Sequence, residues 1–132
     1  MTGAAYTYVQ RTGWFYTPDG ERMSKGYAGN GAGLNNPDMQ FVVRVGPLPV
    51  GDYTIKPPYK HQRLGPLTMN LEPDAGNKMR GRAAFRIHGD NSKGDKSASQ
   101  GCIILLRVAR RYIADHLDEC DRLRVVAEKA DA

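Results

Sequence analysis

Residues 83–105 read AAFRIHGDNSKGDKSASQGCIIL, and the rest of the fold can be worked out from this stretch. An alternating apolar segment, residues 83–88, precedes a polar stretch, residues 89–100, and then an apolar segment, residues 101–105. Alternation with period two is typical of a strand with one buried face. A polar stretch of this length inside a compact domain is usually functional or mobile. We therefore predict a strand that ends at a functional loop.

The hydrophobic period changes after this stretch. Apolar residues recur at four-residue spacing from Leu105 to Leu117, with charged side chains between them. This spacing predicts an amphipathic helix over residues 106–117. A last strand, residues 123–126, then closes the fold.

The upstream part of the chain is rich in strand-forming residues separated by turns. Pro18-Asp19-Gly20 is a turn signal, because proline presets φ and glycine accepts a positive φ. A loop rich in Gly and Asn follows over residues 26–38. The upstream strands are predicted at residues 6–10, 14–16, 21–27, 52–56 and 67–71.

The expected fold class is mainly β, a compact β-sandwich or meander with one clear α-helix in the C-terminal half. A chain of 132 residues has the length of one ordinary domain. We therefore treat residues 1–132 as a single catalytic or binding domain.

Composition places the chain among globular proteins and argues against a disordered or membrane-spanning one. Hydrophobic residues make up 40% and charged residues 25% of the sequence, close to the globular norm. The longest apolar run, residues 102–106, is far too short for a membrane span. No membrane partner is expected.

The net charge of +5 favours anionic partners such as nucleic acid, anionic lipid or a carboxylate-rich polymer, and simple solubility explains it equally well. The densest basic group, Arg107, Arg110 and Arg111, is mixed with Asp115 and Asp118. Aromatic side chains are not interleaved with it at the spacing that base stacking needs. We expect no nucleic-acid binding.

His88 and Cys102 are the strongest candidates for catalysis. His88 ends a predicted strand beside the polar loop, which suits a residue in a cleft. Gly101 allows a sharp turn directly before Cys102, and N–H groups at such a turn can form an oxyanion hole. Cys102 also lies a few residues ahead of the predicted helix, whose N-terminus favours a thiolate. A buried core thiol is an equal alternative for Cys102.

The remaining histidines and the second cysteine give no comparable pattern. Cys120 has acidic neighbours that disfavour a thiolate, His116 lies near the predicted helix end, and His61 has no identifiable partner. A disulfide between Cys102 and Cys120 is not expected. The histidines show no ligand spacing for a metal, so we expect neither a metal nor a cofactor.

The segments FRIHGD (85–90) and SQGCI (99–103) resemble the active-site signature of L,D-transpeptidases with a YkuD-like catalytic domain. That signature is a His-Gly pair, a spacer, then Ser/Thr-x-Gly-Cys and an apolar residue. The segment GPLPVGDYTI (46–55) is similar to the family's Pro-x-Gly-x-Tyr/Phe-x-Ile strand. The Asn-rich loop after Tyr27 and the downstream GCIIL more closely resemble the compact L,D-transpeptidase effectors of type VI secretion. The resemblance covers roughly residues 26–126.

The resemblance implies a cysteine acyltransferase that acts on peptidoglycan stem tetrapeptides, with Cys102 as nucleophile and His88 as base. The N–H groups of Gly101 and Cys102 are implied to hold the oxyanion. Either the carbonyl of Gly89 or the side chain of Asp90 orients His88. The terminal D-Ala is then lost to water (L,D-carboxypeptidase activity), exchanged for another D-amino acid, or replaced by a neighbouring stem amine.

Substrate contacts are expected from Ser99, Arg107, Tyr27 and Asn36. Ser99 either supports the loop by hydrogen bonding or is only a turn residue. Ile104 stands where the housekeeping enzymes often carry Arg or Asn, a position linked to holding the substrate. Arg107 is therefore our substitute candidate for binding the substrate carboxylate.

The subgroup resemblance also implies where the protein works. The N-terminal sequence MTGAAY (1–6) has neither the basic region nor the apolar region of a secretory signal. We therefore expect synthesis in the bacterial cytoplasm and delivery as an antibacterial toxin into the periplasm of a neighbouring cell. A cognate immunity protein and a component of the type VI secretion spike are the implied partners, besides the peptidoglycan stem peptides.

Three other interpretations compete. A papain-like peptidoglycan endopeptidase usually places Cys before His, whereas here His88 precedes Cys102. A non-catalytic cell-wall-binding or interaction module would make Cys102 a structural residue. A basic nucleic-acid binder would show steeply salt-dependent binding to DNA.

Overall fold

A computed structural model describes residues 4–132 of the chain. The prediction that the N-terminus carries no secretory signal also concerned Met1, Thr2 and Gly3, which lie outside the described residues. No helix in residues 4–132 is long and apolar enough to cross a membrane.

The described residues form nine β-strands and one α-helix, joined by turns and short 3₁₀ segments. The elements are β1 (Tyr6–Val9), β2 (Trp14–Tyr16), β3 (Arg22–Lys25), β4 (Gly51–Ile55), β5 (Tyr59–His61), β6 (Gly65–Pro73), β7 (Phe85–His88), β8 (Ile103–Ile104), α1 (Arg107–Asp115) and β9 (Arg122–Val126). The predicted fold class, mainly β with one helix in the C-terminal half, is confirmed.

The strands form one curled sheet in the order β3-β2-β1-β9-β4-β6-β7-β8, and β5 pairs with β6 beside this path. The first three strands form the predicted antiparallel meander. β9 lies parallel to β1 and antiparallel to β4. The last strand of the chain therefore joins the N-terminal meander to the half of the sheet that contains β7 and β8.

A single cluster of buried apolar side chains holds the sheet and the helix together. α1 contributes Ala109 and Ile113, one turn apart, while Val108 and Tyr112 face solvent. This is the amphipathic helix that the four-residue spacing predicted, although it ends at Asp115. The largest fully buried members of the cluster are Tyr6, Tyr8, Tyr53, Phe15, Leu48, Ile55, Met69, Ile87, Ile103, Leu105, Ile113 and Leu123.

The short pair β7–β8 is fixed by the buried residues at its centre. Ile87 of β7 pairs antiparallel with Met69 of β6 and parallel with Ile103 of β8, and all three side chains have no solvent exposure. Burying an isoleucine contributes roughly 1.5–3 kcal/mol. The core therefore fixes the register of β7 and β8, and with it the positions of the adjacent His88 and Cys102.

Candidate active site

The register of β7 and β8 puts His88 and Cys102 on the same face of the sheet. His88 pairs with Ile104 in the parallel ladder, and Ile87 pairs with Ile103. Side chains alternate between the two faces along a strand, and paired residues point to the same side. Cys102, two residues before Ile104, therefore shares the face of His88, opposite to the buried side chains of Ile87 and Ile103.

His88 and Cys102 line one cavity of about 440 Å³. Arg44, Arg63, Arg82 and Arg86 also line it, and its lining contains no aspartate or glutamate among the described residues. The cavity that contains both candidate catalytic side chains is thus strongly positive and suits an anionic substrate.

The carbonyl of Gly89 orients His88, with 2.8 Å between its oxygen and Nδ1 of the ring. A carbonyl only accepts hydrogen bonds, so the neutral ring carries its proton on Nδ1 and presents an unprotonated Nε2. Burial lowers the pKa of His88, and the positive charges of Arg110 and Arg86 lower it further. His88 is therefore neutral at neutral pH and available as a base.

Asp90 does not orient His88. Its Oδ1 accepts hydrogen bonds from the hydroxyl of Tyr27 at 2.7 Å and from the backbone N–H of Asn91 at 2.9 Å. Of the two groups that the sequence left open for this role, the structure assigns the carbonyl of Gly89.

Cys102 is a free, half-buried thiol, and Cys120 is also free. Burial raises the pKa of the Cys102 thiol, while the backbone of Arg86 and the charges of Arg86 and Arg82 act in the opposite direction. The cavity thus holds a neutral thiol and a neutral imidazole. A neutral thiol that attacks a carbonyl needs a base to take its proton.

Gly101 makes the turn that presents Cys102, and this position requires glycine. Its φ is +136°, and an added Cβ would lie 2.6 Å from Cε1 of Phe85 and 2.7 Å from Nη2 of Arg82. The carbonyl of Gly101 accepts a hydrogen bond from the N–H of Leu48 at 3.0 Å. The turn is therefore held from both sides by parts of the chain that are distant in sequence.

Ser99 supports this turn from inside the protein. Its Oγ accepts hydrogen bonds from the N–H groups of Gly29 at 2.9 Å and Gly101 at 3.0 Å, and donates to the carbonyl of Cys102 at 2.6 Å. Ser99 is completely buried, so it supports the turn, whereas the sequence suggested a substrate contact.

The oxyanion hole was expected to include the N–H of Gly101. This N–H instead donates a hydrogen bond to Ser99. The turn and loop hydrogen bonds of residues 4–132 include none from the N–H of Cys102 to a backbone carbonyl.

Tyr27 is also buried and fastens the 89–100 loop. Its hydroxyl donates to Asp90 near the start of the loop and accepts a hydrogen bond from the N–H of Ala98, near its end, at 3.2 Å. Burial and the hydrogen bond to Asp90 raise the pKa of Tyr27 to about 12. The structure therefore assigns Tyr27 to loop positioning, where the sequence suggested substrate contact.

Arg107 and Asn36 lie apart from the Cys102 cavity. Arg107, at the first position of α1, lines a different cavity. Asn36 accepts a hydrogen bond from the N–H of Asp38 and donates one to the carbonyl of Ala32, so it caps a short 3₁₀ turn. Neither residue lines the cavity that contains Cys102.

Arg82 is a component of the site that sequence reasoning missed. Its guanidinium is buried and donates to the carbonyls of Gln40 at 2.7 Å, Pro47 at 2.9 Å and Gln100 at 3.0 Å. It also lies over the ring of Phe85, 4.9 Å from the centroid. No carboxylate of the described residues pairs with it, so its positive charge stays uncompensated beside Cys102. No motif in the sequence analysis includes Arg82.

A family model called the Tlde1 domain matches residues 22–128, which is most of the chain. The chain belongs to the Tlde1 family. This is a family of type VI secretion effectors with L,D-transpeptidase-type activity, and the resemblance found in the sequence is confirmed at that level. Searches of the curated proteins and of the solved structures gave no significant match. The match of the Tlde1 family begins at β3, so β1 and β2 precede it.

Residues 4–132 contain no group of three or more His, Cys, Asp or Glu side chains arranged to hold a metal ion. The polar side chains that line the Cys102 cavity are one thiol, one imidazole, four guanidinium groups, and those of Ser97 and Gln100.

Proposed function

We propose that this Tlde1 domain is a cysteine-dependent L,D-transpeptidase or L,D-carboxypeptidase that acts on peptidoglycan stem tetrapeptides. One observation supports this proposal most strongly. His88 and Cys102 extend from one sheet face into one positive cavity, with the ring of His88 held through Nδ1 by the carbonyl of Gly89.

The first step forms a thioester. Nε2 of His88 takes the proton of the Cys102 thiol as the sulfur attacks the carbonyl carbon of the third stem residue. The bond from that carbon to the nitrogen of D-Ala then breaks, and the D-Ala amine leaves with the proton that His88 carries. The products are free D-Ala, a neutral His88 and a tripeptide acyl group on Cys102.

The N–H of Cys102 is the oxyanion donor in this proposal, because the N–H of Gly101 already donates to Ser99. One such donor is worth about 10²–10³ in rate. The supporting role of Ser99 is to hold the turn so that the Cys102 amide stays aimed at the developing charge.

The second step consumes the thioester with a nucleophile that His88 deprotonates. Water gives a tripeptide and regenerates the thiol, a free D-amino acid gives an exchanged tetrapeptide, and a stem amine gives a cross-link between third residues. The Cys102 cavity is lined by side chains of an open surface loop. Small nucleophiles such as water and D-amino acids therefore have ready access.

Arg86 is the best candidate for binding the substrate carboxylate. It lines the Cys102 cavity, is half-buried and makes only long hydrogen bonds, of 3.3 Å, to the Tyr59 hydroxyl and the carbonyl of Ala84. Arg82 already donates to three carbonyls, and Arg107 lies at the other cavity. We therefore propose that Arg86 binds the substrate carboxylate, the role that the sequence analysis gave to Arg107.

The test is mass spectrometry of purified stem tetrapeptides after incubation with the wild type, Cys102→Ala and the matched control Cys120→Ala. We expect loss or exchange of one D-Ala with the wild type and with Cys120→Ala, and none with Cys102→Ala. Release of D-Ala by Cys102→Ala would contradict the assignment of Cys102 as the nucleophile. Failure of all three proteins to change the peptide would exclude the tetrapeptide as substrate.

A non-catalytic cell-wall-binding module is the second candidate, favoured by the burial that raises the pKa of Cys102. Alkylation separates the two candidates, because a core cysteine stays unreactive until the protein unfolds. Reaction of Cys102 with iodoacetamide in the native protein supports the enzyme, and protection of Cys102 until denaturant is added supports the module.

The family also supplies the biological context of the proposal. Tlde1 proteins are type VI secretion effectors, so we place the substrate encounter in the periplasm of a target cell, where the toxin acts. A cognate immunity protein in the producing cell and a component of the secretion spike are the proposed protein partners.

A further inference from the structure

A second cavity, of about 760 Å³, also takes part of its lining from the 89–100 loop. Asp90 and Lys96 of the loop line this second cavity, whereas Ser97 and Ala98 line the Cys102 cavity. No described residue lines both cavities, so they are two distinct cavities. We call the second one the basic cavity.

The basic cavity carries an excess of positive charge. Its basic lining residues are Arg11, Lys25, Lys96, Arg107 and Arg110, and its acidic one is Asp90. The charge of Arg11 is offset by an ion pair with Glu128 at 2.9 Å. Lys25, Lys96 and Arg107 are exposed and form no ion pair with any described carboxylate. These three side chains can accept an anionic ligand without first breaking an ion pair.

The cavity also offers an apolar wall beside these cations. Trp14 and Leu106 line it, and Leu106 is 64% exposed. Leaving so much leucine surface in water costs free energy that a ligand covering it would recover. The combination fits a ligand with free carboxylates and short aliphatic side chains. Of the two apolar residues, Trp14 precedes residue 22, where the Tlde1 match begins, and Leu106 lies within the matched region.

We propose that the basic cavity binds a second stem peptide of the peptidoglycan polymer through its free carboxylates while another stem peptide reacts at Cys102. This inference rests on the proposed function for its substrate class. Because Cys102 and His88 do not line the basic cavity, the second peptide in this proposal is an anchor for the polymer and does not supply the acceptor amine. Holding one chain at two sites raises the effective concentration of the reacting stem peptide.

The test compares binding to insoluble peptidoglycan in a Cys102→Ala background, which removes turnover. The cavity variant, Lys25→Glu with Lys96→Glu, reverses two charges of the basic cavity. The control variant, Lys56→Glu with Lys78→Glu, makes the same charge change at exposed lysines outside both cavities. Co-sedimentation at low and moderate salt measures the affinity. We expect the cavity variant to bind about tenfold more weakly than the control variant, with a smaller salt dependence.

Equal binding by the cavity variant and the control variant overturns the anchor site. A parallel assay with soluble monomeric tetrapeptide uses the same lysine substitutions in the Cys102 protein. We expect D-Ala release from the monomer to stay within about twofold of the control, because the monomer fills only the Cys102 cavity. A loss on the monomer as large as the loss on the polymer overturns the separation of the two sites. Absence of D-Ala release from the parent overturns the proposed reaction, and the binding assay still decides the anchor site.

Discussion

His88 and Cys102 are held neutral in the resting protein by their surroundings. Burial lowers the pKa of the imidazole and raises that of the thiol, so the pair does not form a thiolate–imidazolium ion pair before substrate arrives. In the proposed mechanism, the proton moves as the sulfur attacks. A neutral thiol is also less prone to accidental oxidation, because the thiolate is the reactive form.

The state of His88 sets the acid limb of the pH profile. Because its pKa is lowered, the imidazole stays an unprotonated base down to a pH below about 6.5, the ordinary value. We expect kcat/KM to fall as the pH is lowered, with a midpoint below that value. The control His116→Gln should show the same midpoint, because the ring of His116 lies outside the Cys102 cavity. A midpoint above about pH 7 would show that another group, or a charged His88, controls the reaction.

Arg82 tunes the nucleophile through its uncompensated charge. We expect Arg82→Met to raise the pKa of Cys102 further, because a positive charge near the thiolate is lost; the pH dependence of iodoacetamide alkylation measures this change. Arg82→Lys retains the positive charge, so the pKa of Cys102 should stay close to its wild-type value, although lysine cannot reach all three carbonyls. The exposed Arg80→Met serves as the control. An unchanged alkylation profile in Arg82→Met would show that the arginine is only a structural clamp.

At the scale of elements, the hydroxyl of Tyr27 ties the start of the 89–100 loop to its end. Tyr27→Phe removes the hydrogen bonds to Asp90 and Ala98 and keeps the buried ring. We expect a loss of about 1 kcal/mol in the free energy of unfolding, faster hydrogen exchange at the Ala98 amide, and a higher KM. The control is Tyr112→Phe, on the exposed face of α1. Loop exchange as slow as in the wild type would contradict the assignment of Tyr27.

Elements with a strong local period were predictable from the sequence. The β7 strand, the polar loop and α1 each carry their own pattern, and the structure has all three. β5 was not predicted, because Tyr59–His61 is short, follows two prolines and is largely exposed. Its formation depends on pairing with β6, which no local pattern encodes.

The candidate site was predictable only in part, for the same reason. His88 and Cys102 are marked by local sequence, since each adjoins the polar loop. The role of Arg82 depends on carbonyls that lie up to 42 positions away in the chain. The burial of Ser99 and Tyr27 likewise follows from tertiary packing, so their types suggested substrate contact and the fold uses them as supports.

At the scale of the whole molecule, two positive cavities take part of their lining from one loop, in a protein of net charge +5. Acidic side chains are grouped elsewhere, for example at Asp52 and Asp74, which pair with Arg124 and Arg122. The excess of positive charge found in the composition is therefore concentrated where a carboxylate-rich polymer would bind.

The compartment in which the protein acts follows from where that polymer is. Directed to the periplasm of a bacterium, the wild type and Cys120→Ala are expected to arrest growth, because the enzyme then meets peptidoglycan. Cytoplasmic expression, and Cys102→Ala in either compartment, should be tolerated. Plating efficiency measures the effect. Equal tolerance of the wild type in both compartments would contradict the toxin assignment.

The central claim, that Cys102 carries the acyl group, is tested most directly by the intact mass of the protein quenched in acid during turnover of a stem tetrapeptide. The account predicts an adduct equal to the tetrapeptide minus D-Ala, located on the peptide that contains Cys102, present in Cys120→Ala and absent from Cys102→Ala. D-Ala release without any adduct on Cys102, or an adduct located on Cys120, would contradict it.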